Sequence, residues 1–170
     1  SPGSRVLDYC AGGGGKSLAL AAAGWGPVIA HDADPRRMND LPERARRADV
    51  VIDRVAGPAL KGAGPFDMVL CDVPCSGSGA WRRQPEAKWT LSPEALDRLC
   101  GLQAEILDAA APLAAPGGRL AYVTCSLLRA ENEDQVAAFI ARTPGWRVLL
   151  QRRWTPLDGG DGFGLSILAC

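Results

Sequence analysis

One histidine stands in the 170 residues. A Cys-His catalytic pair would rest wholly on His31, which is read instead as a packing residue at a strand end. Zinc spacing is also missing, because three residues separate Cys71 from Cys75 and no second cysteine pair or histidine group follows. No metal is expected. Lys plus Arg and Asp plus Glu both total 19, so no whole-molecule field draws nucleic acid or membrane, and such binding must come from a local patch. No apolar run approaches the roughly 18 residues of a membrane span, and no secretory signal pattern opens the chain. With 47% hydrophobic and 22% charged residues the chain can bury a core without disulfide staples. Its six cysteines, Cys10, Cys71, Cys75, Cys100, Cys125 and Cys170, are therefore expected as thiols in a soluble, cytoplasmic protein.

Seven apolar runs read as strands: residues 5–10, 28–32, 49–53, 66–72, 119–124, 146–150 and 164–169. Helical stretches alternate with them. Residues 16–23 are helix formers, residues 35–48 are arginine-rich and interrupted by Pro42, and the longest helix starts at Ser92-Pro93 and closes at Pro116, Gly117 and Gly118. Glu131, Glu133 and Asp134 place acid in the first turn of a last helix. This alternation predicts an α/β fold, a mostly parallel doubly wound sheet with an antiparallel C-terminal end, read as one domain over residues 1–170. Ligands of such sheets bind beyond the carboxyl ends of the strands. Those ends carry Asp8, Cys10, Asp32, Asp53, Asp72, Cys75 and Cys125.

The loop from Ala11 to Ser17 (AGGGGKS) fails the P-loop pattern, which needs glycine where Cys10 stands, and fails the dinucleotide fingerprint in either frame. It remains a place where a ligand can approach backbone N–H groups at a helix N-terminus. Asp32 at the second strand suits the two hydroxyls of a ribose and Asp53 an adenine amino group. A single adenosine nucleoside with an amino-acid end fits better than NAD, which points to S-adenosylmethionine as cofactor.

Two further segments place a cysteine just past a strand: DVPCSGSG (residues 72–79) and YVTCS (residues 122–126). Cys71 and Cys100 read as small buried hydrophobes. With VLDYCAGGGGKS, DVPCSGSGAWRRQPEAKW, TCSLLRAENEDQVAAFI and TPLDGGDGF in this order, the chain resembles RNA cytosine-5 methyltransferases of the Sun/Fmu and Nol type. The resemblance implies a Rossmann-like class I methyltransferase fold, S-adenosylmethionine as donor and a cytosine in RNA, ribosomal RNA foremost, as acceptor. It further implies that Cys125 is the nucleophile, that Cys75 assists breakdown of the covalent adduct, and that Asp72 hydrogen-bonds the base. Cofactor contacts are then expected from Cys10, Ala11, Gly12, Gly13, Gly14, Gly15, Lys16, Asp32, Arg37, Asp53 and Asp72. A thiolate at Cys125 would be favoured by the helix that follows and opposed by Glu131 and Glu133.

Between Trp81 and Trp89 the chain reads WRRQPEAKW, a local charge of +2 with an aromatic at each end. Arg82, Arg83 and Lys88 are expected to contact RNA phosphates, and the tryptophans to stack on a base or pack on the sheet. Two departures from the family stand out. Gly12 and Gly13 replace the usual Ala-Pro, predicting a looser loop, and Gly164 replaces a phenylalanine, predicting a weaker closing strand. The family's N-terminal RNA-binding sequence is not in this chain, so it reads as a catalytic core.

Overall fold

The computed structural model describes residues 2–170. Seven strands form one sheet in the order β3-β2-β1-β4-β5-β7-β6. They are β1 (Pro2–Asp8), β2 (Gly26–Ala30), β3 (Ile52–Arg54), β4 (Phe66–Asp72), β5 (Ala114–Thr124), β6 (Arg147–Trp154) and β7 (Phe163–Ala169). Strands β1, β2, β3 and β4 pair in parallel and β6 pairs antiparallel with β7, as the alternation in the sequence required. The helices are α1 (Gly15–Ala22), α2 (Leu41–Arg47), α3 (Gly57–Ala63), α4 (Pro85–Thr90), α5 (Pro93–Ala110) and α6 (Glu133–Arg142).

The chain divides into two compact units, residues 1–72 with 110–120, and residues 73–109 with 121–170. In the first, Val6, Leu7, Val28, Phe66 and Val69 are essentially inaccessible, because strands covered on both faces must be apolar at nearly every position. Burying each side chain of this kind stabilises by about 1.5–3 kcal/mol. Ala11, Ala30, Met38 and Leu41 form a smaller cluster under the glycine loop, joined by Leu18 and Ile52. Pro42 sits in the first turn of α2, where its missing N–H leaves no unmet bond, and a 3-10 turn Pro35–Met38 precedes it. In the second unit Leu107, Tyr122, Val136, Phe139 and Leu168 make the core, with Trp146 edge-on to Phe139.

The WRRQPEAKW segment is partly helical, with Pro85 starting α4. Two expectations need correction. Pro116, Gly117 and Gly118 do not close α5; they lie within β5, which accommodates them through a positive φ at Gly117 and a close approach of Gly118 to the Phe66 carbonyl. Glu131 is not in the first turn of α6 but ends a 3-10 turn, Arg129–Glu131, and is fully buried.

Candidate functional site

In the first unit, β1 delivers Asp8 and the loop that follows it. Gly14 has φ +77° as the N-cap of α1, and a Cβ there would overlap Leu41. Gly15 has open space around it. The chain thus turns tightly over Leu41 and leaves the α1 N-terminus unobstructed by side chains. Gly12 donates its N–H to Asp32 Oδ2 at 2.8 Å, Ala11 donates to the His31 carbonyl, and Arg44 binds the Gly13 carbonyl. Gly12 is thus held by Asp32 and Gly13 by Arg44.

Asp8 is fully buried. Its Oδ2 accepts from Ser17 Oγ at 2.6 Å while its Oδ1 meets no hydrogen-bond partner. Burial pushes its pKa up to about 6, the Asp72 charge adding to this, against the Ser17 hydrogen bond and the Lys16 charge. Lys16 Nζ reaches Asp72 Oδ2 at 2.5 Å. Asp32 is buried and already engaged, with Gly12 N–H and Arg37 (3.2 Å) on Oδ2 and Asp34 N–H on Oδ1. Arg37 itself is 58% exposed. Asp53 is exposed within β3, opposite Ile29. Burial and the charges of Asp8, Asp32 and Asp72 push the Cys10 thiol up to about 12, so it is no nucleophile at neutral pH. His31 packs on Tyr9 with Nδ1 2.8 Å from the Tyr9 carbonyl, the structural role read from the sequence. Beyond β3 a cleft of about 540 Å3 opens, lined by Met38, Arg54, Val55 and Ala56 among others.

These residues fit S-adenosylmethionine. An orphaned buried carboxylate oxygen suits an ammonium group, an unobstructed helix N-terminus suits a carboxylate, and the half-apolar cleft has room for a purine. Among the described residues no cluster of His, Cys, Asp and Glu could hold a metal ion.

The second unit carries the thiols. Cys75 and Cys125 lie 3.2 Å apart, sulfur to sulfur, on the loops after β4 and β5. The two loops are joined along their length: Val73 N–H donates to the Val123 carbonyl, Gly79 N–H to the Cys125 carbonyl and Leu127 N–H to Ser78 Oγ. The DGF segment closes on the same loop, as Gly162 N–H donates to the Gly79 carbonyl and neither glycine leaves space for a Cβ. The hydrogen bond to Cys125, with burial second, holds the Cys75 thiol far above its ordinary range, while Cys125 is exposed. The pair is therefore asymmetric. Either sulfur can donate the hydrogen bond between them, and Cys125 is the more accessible of the two.

Glu131, which the sequence reading took as a first-turn acid, accepts hydrogen bonds from the loop after each cysteine. The signal that could have found it is its position five residues beyond Ser126, within reach of a tight return of the chain. Arg82 and Arg83 both bind Asp161, and Lys88 stands over the Trp89 ring. Trp89 is 81% exposed, whereas Trp81 has a buried, unpartnered Nε1. A small apolar cleft of about 270 Å3 lies between Trp154, Phe163 and Asp161.

The model of the family 16S rRNA methyltransferase RsmB/F matches residues 1–161. Ribosomal RNA small subunit methyltransferase B of Cronobacter sakazakii is 42% identical over 148 residues, 84% of this chain and 34% of the relative. Its namesake in Pseudomonas putida is 40% identical over 156 residues, 88% of this chain and 36% of the relative. The chain thus spans about a third of the length of these relatives. Among solved structures, PH0851 superposes with a TM-score of 0.88 at 31% identity, over 99% of this chain and 43% of that one. NSun6 from Pyrococcus horikoshii with SFG gives 0.85 at 24% identity, over 99% and 48%, a likeness of fold. The Rossmann-like sheet is thus that of S-adenosylmethionine-dependent methyltransferases, and the chain belongs to the 16S rRNA methyltransferase RsmB/F family.

Proposed function

We propose that this chain transfers a methyl group to carbon 5 of a cytosine in ribosomal RNA through a covalent cysteine adduct. The observation that carries the reading is the asymmetric thiol pair, Cys75 and Cys125 at 3.2 Å on two strand-end loops. Methylation at an exocyclic nitrogen or a ribose oxygen needs no thiol, whereas carbon 5 of cytosine is too weak a nucleophile without one.

The Cys125 thiolate forms a bond to carbon 6, and the electrons of the 5,6 double bond make carbon 5 nucleophilic. S-adenosylmethionine, when bound, supplies the electrophilic methyl group. Once carbon 5 carries it, solvent takes the carbon 5 proton, the electrons of that C–H bond re-form the 5,6 double bond, and the bond from carbon 6 to Cys125 breaks with its electrons on sulfur. Cys75, hydrogen-bonded to the departing sulfur, assists this release. Asp72, oriented by Lys16, accepts a hydrogen bond from the base. Asp8, Gly14 and the α1 N-terminus hold the amino-acid end of the cofactor. Asp32 takes the ribose once the exposed Arg37 gives way. Asp53 and the cleft beyond β3 take the adenine. Arg82, Arg83 and Lys88 contact RNA, Trp89 giving a face for stacking.

The test is methyl transfer from labelled donor to ribosomal RNA followed by bisulfite mapping. Label at a cytosine that becomes resistant to bisulfite supports the reading. Label at any other base, or none, removes it.

A further inference from the structure

Glu131 is fully buried, yet no lysine, arginine or histidine pairs with it among the described residues. Its charge is held by hydrogen bonds alone. Oε1 accepts from Ser76 N–H at 2.8 Å and Gln103 Nε2 at 3.0 Å, and Oε2 accepts from Ser76 Oγ and Ser126 Oγ, each at 2.5 Å. Four donors fill the four lone-pair sites of a carboxylate. The same residue is fixed from behind, since its carbonyl accepts Tyr122 Oη at 2.8 Å and Gln103 also binds the Pro74 carbonyl.

The donors are not scattered. Ser76 follows Cys75, Ser126 follows Cys125, and Gln103 reaches to Pro74, the residue before Cys75. A buried carboxylate without a cation is costly, and the interior could hold two loops together with neutral groups at lower cost. Here the anion instead grips the neighbours of both reactive sulfurs. We propose that Glu131 is the positioning residue of the thiol pair, a clamp that sets the Cys75 to Cys125 spacing by holding the serine after each cysteine. It touches neither sulfur and is not a catalytic residue. Its negative charge also acts on Cys75 in the direction of keeping that thiol protonated. The proposal deepens the reading of Cys75 and Cys125 as a working pair and rests on it for its catalytic meaning, though the geometry stands without it.

The test reads the thiols directly. In glutathione redox buffers Cys75 and Cys125 can form a disulfide, two thiols giving up two protons and two electrons while oxidised glutathione is reduced to two molecules of glutathione. The equilibrium constant measures the effective concentration of one thiol at the other. Three variants separate the contributions. Glu131→Gln keeps the shape, and the serine hydroxyls can turn to accept from its amide, so the effective concentration should stay within about threefold of the parent. In that variant site-resolved alkylation of Cys75 should move to lower pH, a change that loss of packing alone would not produce. Glu131→Ala should lower the effective concentration more than tenfold. Because it leaves a cavity and the protein may be lost, Ser76→Ala with Ser126→Ala, which keeps Glu131 and removes the two shortest bonds, is expected to do the same with circular dichroism unchanged. An unchanged disulfide equilibrium in the double serine variant overturns the clamp. An unchanged Cys75 pH profile in Glu131→Gln overturns the electrostatic part. If the parent protein shows the coupled thiols but no transfer to RNA, the functional reading fails and the clamp survives.

Discussion

Individual side chains decide both the stability and the chemistry of the two sites. Asp8 is the clearest case. Its folded pKa, about 6, lies above the ordinary 3.8 because the carboxyl is buried with one oxygen unpartnered. Between these values the folded protein holds a proton that the unfolded chain has released, so the contribution of Asp8 to stability is complete below about pH 4 and is lost as pH rises through 6. Asp8→Asn keeps an acceptor for Ser17 and cannot ionise. The variant should therefore gain on the parent between pH 4 and 7, by about 3 kcal/mol at most, read as the difference in urea midpoints. An equal gap at both ends of that range would mean that Asp8 ionises freely in the fold. The cysteines fail in a different way. Cys125→Ala should abolish methyl transfer and covalent RNA attachment, while Cys75→Ala should leave an RNA adduct visible on a denaturing gel. An adduct seen only with Cys125→Ala reverses the two roles. At this scale the sequence named both cysteines and the strand-end acids, since residue type and place after a strand suffice for that. It could not name Glu131, whose role depends on donors from residues 76, 103 and 126 meeting at one carboxylate.

Elements were legible where hydrophobic period and punctuation agreed. Strand β4 falls where its apolar run does, and Pro42 stands in the first turn of α2, where its missing N–H costs nothing. Where local signals mislead, the reading slips: Pro116 and the glycines after it look like a helix stop but continue a strand, in which a Cβ at Gly118 would press on the backbones of Ala115 and Phe66. Gly164 shows the same lesson in reverse. The resemblance made it a weak point of β7, yet a Cβ at this position would overlap Asn132 Oδ1 and press on Thr124 Oγ1. Asn132 and Thr124 are hydrogen-bonded to each other at 2.7 Å, and the Asn132 amide holds the carbonyls of Ser126 and Leu128. The glycine thus makes room for the polar link that supports the Cys125 loop. Gly164→Ala should cost about 1–3 kcal/mol of stability by overpacking, and Gly164→Phe more. A β7 glycine that tolerates alanine with an unchanged thermal midpoint would show that Asn132 simply turns away.

For the whole molecule, charge is the quantity that matters to an RNA substrate. Lysines and arginines equal acids in number, and much of the surface arginine is already committed, with Arg36, Arg46, Arg82, Arg83, Arg129, Arg142 and Arg153 in ion pairs with carboxylates. Exposed pairs of this kind are worth little to the fold, and a phosphate can replace the carboxylate, but each exchange releases fewer counterions than an unpaired cation would. Cofactor binding depends on no such field, because the residues proposed for it lie within one compact unit between Asp8 and Asp72. This chain is therefore expected to bind S-adenosylmethionine with an affinity that is nearly independent of salt. It should bind ribosomal RNA weakly, losing about 20- to 40-fold in affinity between 50 and 200 mM salt, as three phosphate contacts allow. Relatives about three times as long have further surface to offer RNA, and their salt dependence should be steeper. Titrating labelled ribosomal RNA against this chain and against one full-length relative at both salt concentrations distinguishes the cases. A loss of a thousandfold for this chain would require six or more neutralised phosphates, twice as many as Arg82, Arg83 and Lys88 can supply.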